Sequence, residues 1–166
     1  MAKKTITVTL HMSELIYDVQ NKTYLTGRSR LNPDGGNQEL VANMQANNDD
    51  ENANQVMRSI GNAYDNLKVK LAEYLVDDGT TSDDKLMTAN SNLTISLVMP
   101  SNYNQSVNDT ISSAAHQYIV NTAIGDWFII TNKADATDYM TLAAANLGQI
   151  REAINKRVRP VREEVL

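Results

Sequence analysis

Side chains able to do chemistry are few in this sequence and lie far apart. The two histidines, His11 and His116, belong to no His-x-x-x-His or Glu-x-x-His pattern, the spacing that would place two metal ligands on one helix face. The aspartate pairs at residues 49–50 and 83–84 lack the alternating oxygen ligands and distal glutamate of a calcium loop. We therefore predict no metal site, and we interpret His116 as a partly buried helix histidine and the acidic pairs as solvated loops and helix caps.

Motifs for covalent catalysis and nucleotide binding are also missing. The chain has no cysteine and no Gly-x-Ser-x-Gly elbow, and Gly27 and Gly35 lack the Lys-Ser/Thr of a phosphate-binding loop. Five aromatic residues could stack on bases, but they have no interleaved basic residues, so we assign them to core packing. They are Tyr17, Tyr24, Tyr118, Trp127 and Phe128. The sequence predicts no catalytic residue and no cofactor, and a small enzyme that uses carboxylates is the least favoured alternative.

Positive charge collects at two places although the chain as a whole is acidic. The net charge is −5 and the pI is about 4.9, which argues against a protein that coats DNA through its phosphates. The candidate interface residues are Arg28, Arg30, Lys156, Arg157, Arg159 and Arg162. Cations are favoured at a helix C-terminus, which accounts for Lys156 and Arg157 but less well for the arginines that follow. We predict that the basic C-terminal segment projects from the body and meets carboxylates of a neighbouring subunit.

Length and composition fit one globular domain. The 166 residues can bury a core without disulfides, and 42% apolar and 21% charged residues are ordinary for a folded chain. The absence of cysteine allows a reducing compartment, and residues 5–10 alternate like a strand instead of forming the apolar run of a signal peptide. No stretch approaches the roughly eighteen consecutive apolar residues of a membrane span. We expect a soluble protein that is made in the cytosol and has no membrane partner.

Hydrophobic periodicity predicts two strands and four helices. Residues 5–10 and 93–98 alternate apolar and polar side chains, so we predict two half-buried strands that pair. Apolar spacings of three and four predict helices over residues 13–27, 51–75, 107–130 and 135–159. Ser13 is the expected N-cap of the first helix and Pro160 the end of the last, while the third has apolar residues around its whole axis and should be central. The predicted class is mainly helical α+β, with about four helices packed on a two-stranded element.

The order of these elements repeats. Each half reads strand, helix, helix, and residues 53–57 and 136–140 both have the pattern Ala-x-x-apolar-Met near the start of the second helix. Two explanations stay open, a duplication with halves 5–76 and 92–159, or a coincidence between two amphipathic helices. In either case we expect residues 1–166 to form a single domain.

Two polar connections separate the elements. Residues 31–50 contain the turn signal Asn-Pro-Asp-Gly-Gly and a short helical stretch at residues 38–44, in a connection longer than most structureless loops of compact domains. Because this connection has few apolar anchors, we expect it to be ordered mainly by contact with another copy or another protein. Residues 77–92 are polar and are interpreted as a linker between the halves.

Several segments in the last third of the chain follow an order known from one class of proteins. They are His116-Gln117-Tyr118-Ile119-Val120, Asp126-Trp127-Phe128, Thr131-Asn132-Lys133, Asp135-Ala136, Tyr139 and Lys156-Arg157-Val158-Arg159-Pro160. In these segments the chain resembles the C-terminal helical part of small virion proteins of tailed bacteriophages, of the head-tail connector or neck class. Residues 18–25 share the resemblance more faintly. The paired strands depart from it, because many connectors are nearly all helical.

The resemblance implies a structural role in a virion. A protein of this class would form a ring below the portal, contact portal, tail or other neck proteins, and be assembled in the cytoplasm of the bacterial host. It would bind no membrane and no specific nucleic-acid sequence, although DNA could contact the lumen of the ring. A tail-completion or capsid-associated subunit and a non-enzymatic cytosolic adaptor or regulatory module are the alternatives. A strictly monomeric purified protein would favour the adaptor.

Overall fold

Five α-helices dominate the computed structural model, which describes residues 2–79, 82–85 and 87–162. The helices are α1 (Met12–Ser29), α2 (Gln38–Met44), α3 (Asp50–Lys70), α4 (Asn108–Thr131) and α5 (Lys133–Ile154). A 3-10 turn at Ala72–Tyr74 follows α3, and another at Gln105–Val107 precedes α4. The predicted mainly helical α+β class is confirmed. Four of the five described helices correspond to the four long helices predicted, and α2 occupies the short helical stretch expected at residues 38–44.

The two predicted strands pair in antiparallel order. They are β1 (Lys4–His11) and β2 (Asn92–Met99), and each extends one residue further at both ends than predicted. Alternation places the paired residues Val8 and Ile95 on the buried face, while Thr7 and Ser96 lie on the opposite face. Because a two-stranded sheet is marginal alone, its apolar face needs the cover that the helices provide.

The central helix of the fold is α4, as predicted. It contacts α1, α2, α3, α5 and β1, and buried side chains lie on every side of its axis. Its packing against α5 is the most extensive between any two described elements. A Cβ atom at Gly125 would lie 2.7 Å from Cε of Met140, so this glycine permits the close approach of the α5 side chain.

Three predicted helix boundaries are wrong. The predicted cap Ser13 lies inside the first turn of α1, because β1 runs directly into the helix. The helix predicted over residues 51–75 ends at Lys70, since Val76 N donates to Ser96 O at 3.0 Å and ties the following segment to β2. Likewise, α5 ends at Ile154 rather than at residue 159, and the chain then turns.

Residues 31–50 have more anchors within the chain than expected. Met44 and Ala46 are buried. Trp127 Nε1 donates to Met44 O at 2.8 Å, and Ala46 N donates to Thr23 Oγ1 at 3.1 Å. The second half of this connection is therefore fastened to α1 and α4, whereas ordering of the connection by another copy or another protein stays a prediction.

The two halves share an order of elements but differ in packing. After β1 come α1 and α3, with α2 between them, and after β2 come α4 and α5. The second pair packs along most of its length, whereas α1 and α3 contact each other at few positions and each packs mainly on α4. The match between the halves is therefore one of sequence order and not of helix-pair geometry.

Candidate interaction surfaces

The basic C-terminal segment is exposed but is fixed at its root. Residues 155–162, here called the arm, are all exposed and carry four cations, and two glutamates, Glu163 and Glu164, follow them in the sequence. Val158 N donates to Asn102 O at 2.8 Å, and Asn104 N donates to Lys156 O at 3.2 Å. The prediction that residues 155–158 continue the helix is therefore wrong, because they fold back on the loop before α4. These backbone bonds fix the direction in which the rest of the arm leaves the body.

The four cations of the arm have different surroundings. Arg157 donates from one terminal nitrogen to Ile154 O at 2.8 Å and to Lys156 O at 3.1 Å, so it caps the end of α5. Lys156 Nζ lies 3.3 Å from Glu152 Oε1. Arg159 and Arg162 form no ion pair with the described part of the chain. The last two arginines are thus the cations most available to a neighbour.

The second basic cluster is divided between two roles. Arg30 Nε donates to Asp135 Oδ2 at 3.1 Å, and a second, shorter bond joins the same two side chains. Asp135 is buried, and the hydrogen bonds from Arg30 lower the pKa of this carboxyl group. Arg28 is exposed at the end of α1. Arg30 therefore joins α1 to α5 within one chain, and Arg28 remains on the surface.

The two histidines occupy different environments. His116 Nε2 lies 2.6 Å from Asp18 Oδ2 between α4 and α1, with 21% of the histidine side chain exposed, so its prediction as a partly buried helix histidine is confirmed. His11 Nδ1 lies 2.9 Å from Asn92 Oδ1 at the exposed end of the sheet. In the described ranges, no three His, Asp or Glu side chains converge as metal ligands would.

A groove lies between α1, α4 and α5, with a volume of about 560 Å³. Leu25 and Leu142 are each 51% exposed on its walls. The polar lining consists of Lys22, Thr26, Gln117, Asn121, Asn146 and Gln149. Among the described residues, the lining contains one cation, Lys22, and no carboxylate that would neutralise its charge. The size and the mixture of apolar walls with a few polar groups suit a bound ligand or a protein segment.

One buried amide in this groove is only partly hydrogen-bonded by the described residues. Asn121 is 5% exposed, and its Nδ2 donates to Asn146 Oδ1 at 2.8 Å. Its Oδ1 atom accepts no hydrogen bond from the described residues. A buried acceptor without a donor costs free energy, so this atom would gain from a donor supplied by an occupant.

The acidic residues 83–84 lie in a small open cleft beside α3. Its lining includes Arg58, Asp65, Asp83, Asp84 and Lys85, and its volume is about 140 Å³. This is below the roughly 300–1,000 Å³ of typical ligand pockets. The mixed charges of the lining fit the interpretation of these aspartates as solvated loop residues.

The basic residues are visible in the sequence, but the groove and the pairing of Arg30 with the buried Asp135 are not. Asp135 and Arg30 are far apart in the chain, and nothing in their local patterns indicates that they meet. The groove could not be predicted for the same reason, because its walls come from three helices that are distant in the sequence. Of the five aromatic residues assigned to the core, Tyr118, Trp127 and Phe128 are buried, whereas Tyr17 and Tyr24 are 61% and 43% exposed. The core assignment is therefore wrong for the two tyrosines of α1, whose face is partly solvent-exposed.

Comparisons with protein-family models, with curated proteins and with solved structures find no match to this chain. Within the described residues, no helix combines the length and apolar character needed to cross a membrane.

Proposed function

We propose that this chain is a structural subunit of a tailed-bacteriophage virion, of the head-tail connector or neck type, which forms a ring and joins the portal to the tail. The resemblance of residues 116–160 to that class supports the proposal. So does a set of exposed surfaces that could serve assembly, namely the arm, the groove and the apolar residues around them.

The geometry of the arm is the observation that carries this proposal. The arm holds four of the fifteen Lys and Arg residues of a chain whose net charge is −5. Its root is held by two backbone hydrogen bonds, whereas Val161 is 90% exposed and the last arginines have no partner among the described residues. A cationic segment held in a fixed direction on an acidic body can engage carboxylates of an adjoining subunit, and arginine can do so with two parallel hydrogen bonds.

A double substitution in the outer arm tests the proposal. Arg159→Ser with Arg162→Ser removes two exposed cations and leaves the helix-capping Arg157 in place. We expect a circular dichroism spectrum equal to wild type, and a fall in complete particles of at least about tenfold when the variant complements a phage that lacks the gene. Loss of a desolvated charge pair is large enough for such an effect.

The matched control removes the same charge elsewhere. Lys3 and Lys70 are exposed and form no ion pair with the described residues, so Lys3→Ser with Lys70→Ser should leave particle yield unchanged. Normal infectious particles from the arm variant would show that the outer arm is not needed for particle assembly. Normal particles from a phage without the gene would refute the virion role itself and favour the cytosolic adaptor.

A further inference from the structure

The last turns of α4 present apolar side chains beside a carboxylate. Asp126, Ile129 and Ile130 are spaced by three and four residues, so they lie on one face of the helix. Ile129 and Ile130 are 49% and 74% exposed. Asp126 is half-buried, forms no hydrogen bond or ion pair with the described residues, and has a pKa raised by desolvation. We call these three residues the knob.

The groove between α1, α4 and α5 has the complementary chemistry. Its half-exposed leucines, Leu25 and Leu142, offer apolar walls to an apolar side chain. Lys22 Nζ donates to Gln117 Oε1 at 2.7 Å and keeps further protons for a second acceptor. Asn121 adds a buried acceptor without a donor. The groove thus offers a cation where the knob offers a carboxylate.

We propose that the knob of one copy docks into the groove of a second copy, with Asp126 facing Lys22 and the isoleucines between Leu25 and Leu142. The inference deepens the proposed ring assembly and rests on it. Burial of the two isoleucines supplies the apolar contribution, and the charge pair fixes the orientation.

Ile130, the most exposed residue of the knob, points away from the groove, as a head-to-tail contact requires. Asn121 in the groove and Ile130 in the knob are nine residues apart, which is two and a half turns of an α-helix. They therefore lie on opposite sides of α4, and one copy cannot fill its own groove. A contact between two different surfaces of the same chain propagates from copy to copy and closes into a ring when the rotation allows.

The arm fits this groove less well than the knob does. Lys22 would repel Arg159 and Arg162, and the groove lining offers no carboxylate among the described residues to receive them. Each copy of the chain carries one knob and one groove, so in a closed ring every knob can occupy the groove of the next copy. These features select a second copy of the chain as the occupant.

Cysteine pairing tests the contact directly, because the chain has no native cysteine. Leu25→Cys and Ile130→Cys are made as separate variants with tags of different size, mixed at about equal concentration, and treated with a short bismaleimide. We expect a mixed cross-linked dimer to dominate. Val69 is 73% exposed on α3, so a mixture of Val69→Cys with Leu25→Cys is the control and should give at least about tenfold less mixed dimer.

A charge exchange provides an independent measurement. Lys22→Glu and Asp126→Lys should each weaken self-association, measured by analytical ultracentrifugation, by at least about tenfold. The double variant should recover to within about threefold of wild type, which a merely unfolded protein would not do. Ile130→Ser tests the apolar contribution without altering charge and should weaken association in the same direction.

The outcomes separate this contact from the proposed function. Wild-type oligomers with a cross-link no stronger than the Val69 control, or without rescue in the double variant, would overturn the knob-in-groove contact and leave the ring proposal standing. Wild-type protein that stays monomeric at every concentration and on assembled particles would refute both proposals.

Discussion

Replacement of the buried carboxylate at residue 135 tests how α1 is joined to α5. Asp135 is 3% exposed and accepts hydrogen bonds from Arg30 and from Asn132. Asp135→Asn keeps the shape of the side chain but removes its charge. Hydrogen bonds to charged groups contribute about 1.5–3 kcal/mol each, and part of this remains with the amide. We expect a loss of about 2 kcal/mol of unfolding free energy at neutral pH.

The loss can be measured by urea unfolding followed by fluorescence. Trp127 is the single tryptophan and is buried between α4 and α2, so its emission reports the core. In thermal unfolding, a loss of about 2 kcal/mol should lower the Tm of a chain of this length by about 4–8 °C. Asp138→Asn is the matched control, because Asp138 is exposed on the same helix and has only a weaker charge interaction with Arg30, so stability should change by less than about 0.5 kcal/mol.

The pH dependence gives a second, signed test of the same contact. The pKa of Asp135 is lowered from its ordinary value of 3.8, chiefly by the hydrogen bonds from Arg30. A depressed carboxyl pKa contributes stability that is present above the unfolded pKa and is lost as pH falls through the folded pKa. The difference between wild type and Asp135→Asn should therefore be constant from about pH 5 to 8 and should shrink below about pH 4. Equal stability of the two proteins at pH 7, or a difference unchanged at pH 3, would refute the reasoning.

Two further stability predictions follow from single contacts. Trp127→Phe removes the donor to Met44 O and should lower the free energy of unfolding by about 1–3 kcal/mol. Hydrogen exchange should then become faster than in wild type at the amides of residues 38–46, and change less in α5. Unchanged exchange in residues 38–46 would show that the bond does not anchor α2. Gly125→Ala should cost about 1–3 kcal/mol in thermal unfolding because the new methyl meets Met140, whereas Gly148→Ala, with no atom within 4 Å of the new Cβ, should be neutral or slightly stabilising. Equal effects at the two glycines would mean that Met140 moves aside freely.

Periodicity in the sequence predicted the elements well because it reports burial, which is a property of each segment. The alternation around Val8 and Ile95 predicted both strands, and the apolar residues around the axis of α4 predicted its central position. Boundaries were less accurate where a distant segment decided them. The end of α5 depends on pairing with Asn102, and the end of α3 on a bond to Ser96.

The candidate surfaces were predictable only in part. The basic residues of the arm were visible as a run of charge, but whether each cation faces solvent or its own chain depends on tertiary contacts. Arg30 meets Asp135, Arg157 caps α5 and Lys156 pairs with Glu152, so three of the six candidate residues are engaged within the chain. The groove could not be predicted, because Leu25, Asn121 and Leu142 come from three helices whose packing no local pattern describes.

The location of the chain in a particle tests the central proposal most directly. Purified particles carrying this chain with a short N-terminal tag are labelled with gold-conjugated antibody and imaged by electron microscopy. We expect label confined to the junction between head and tail, at several copies per particle. Particles that are complete and infectious but contain no trace of the chain by immunoblot would contradict it.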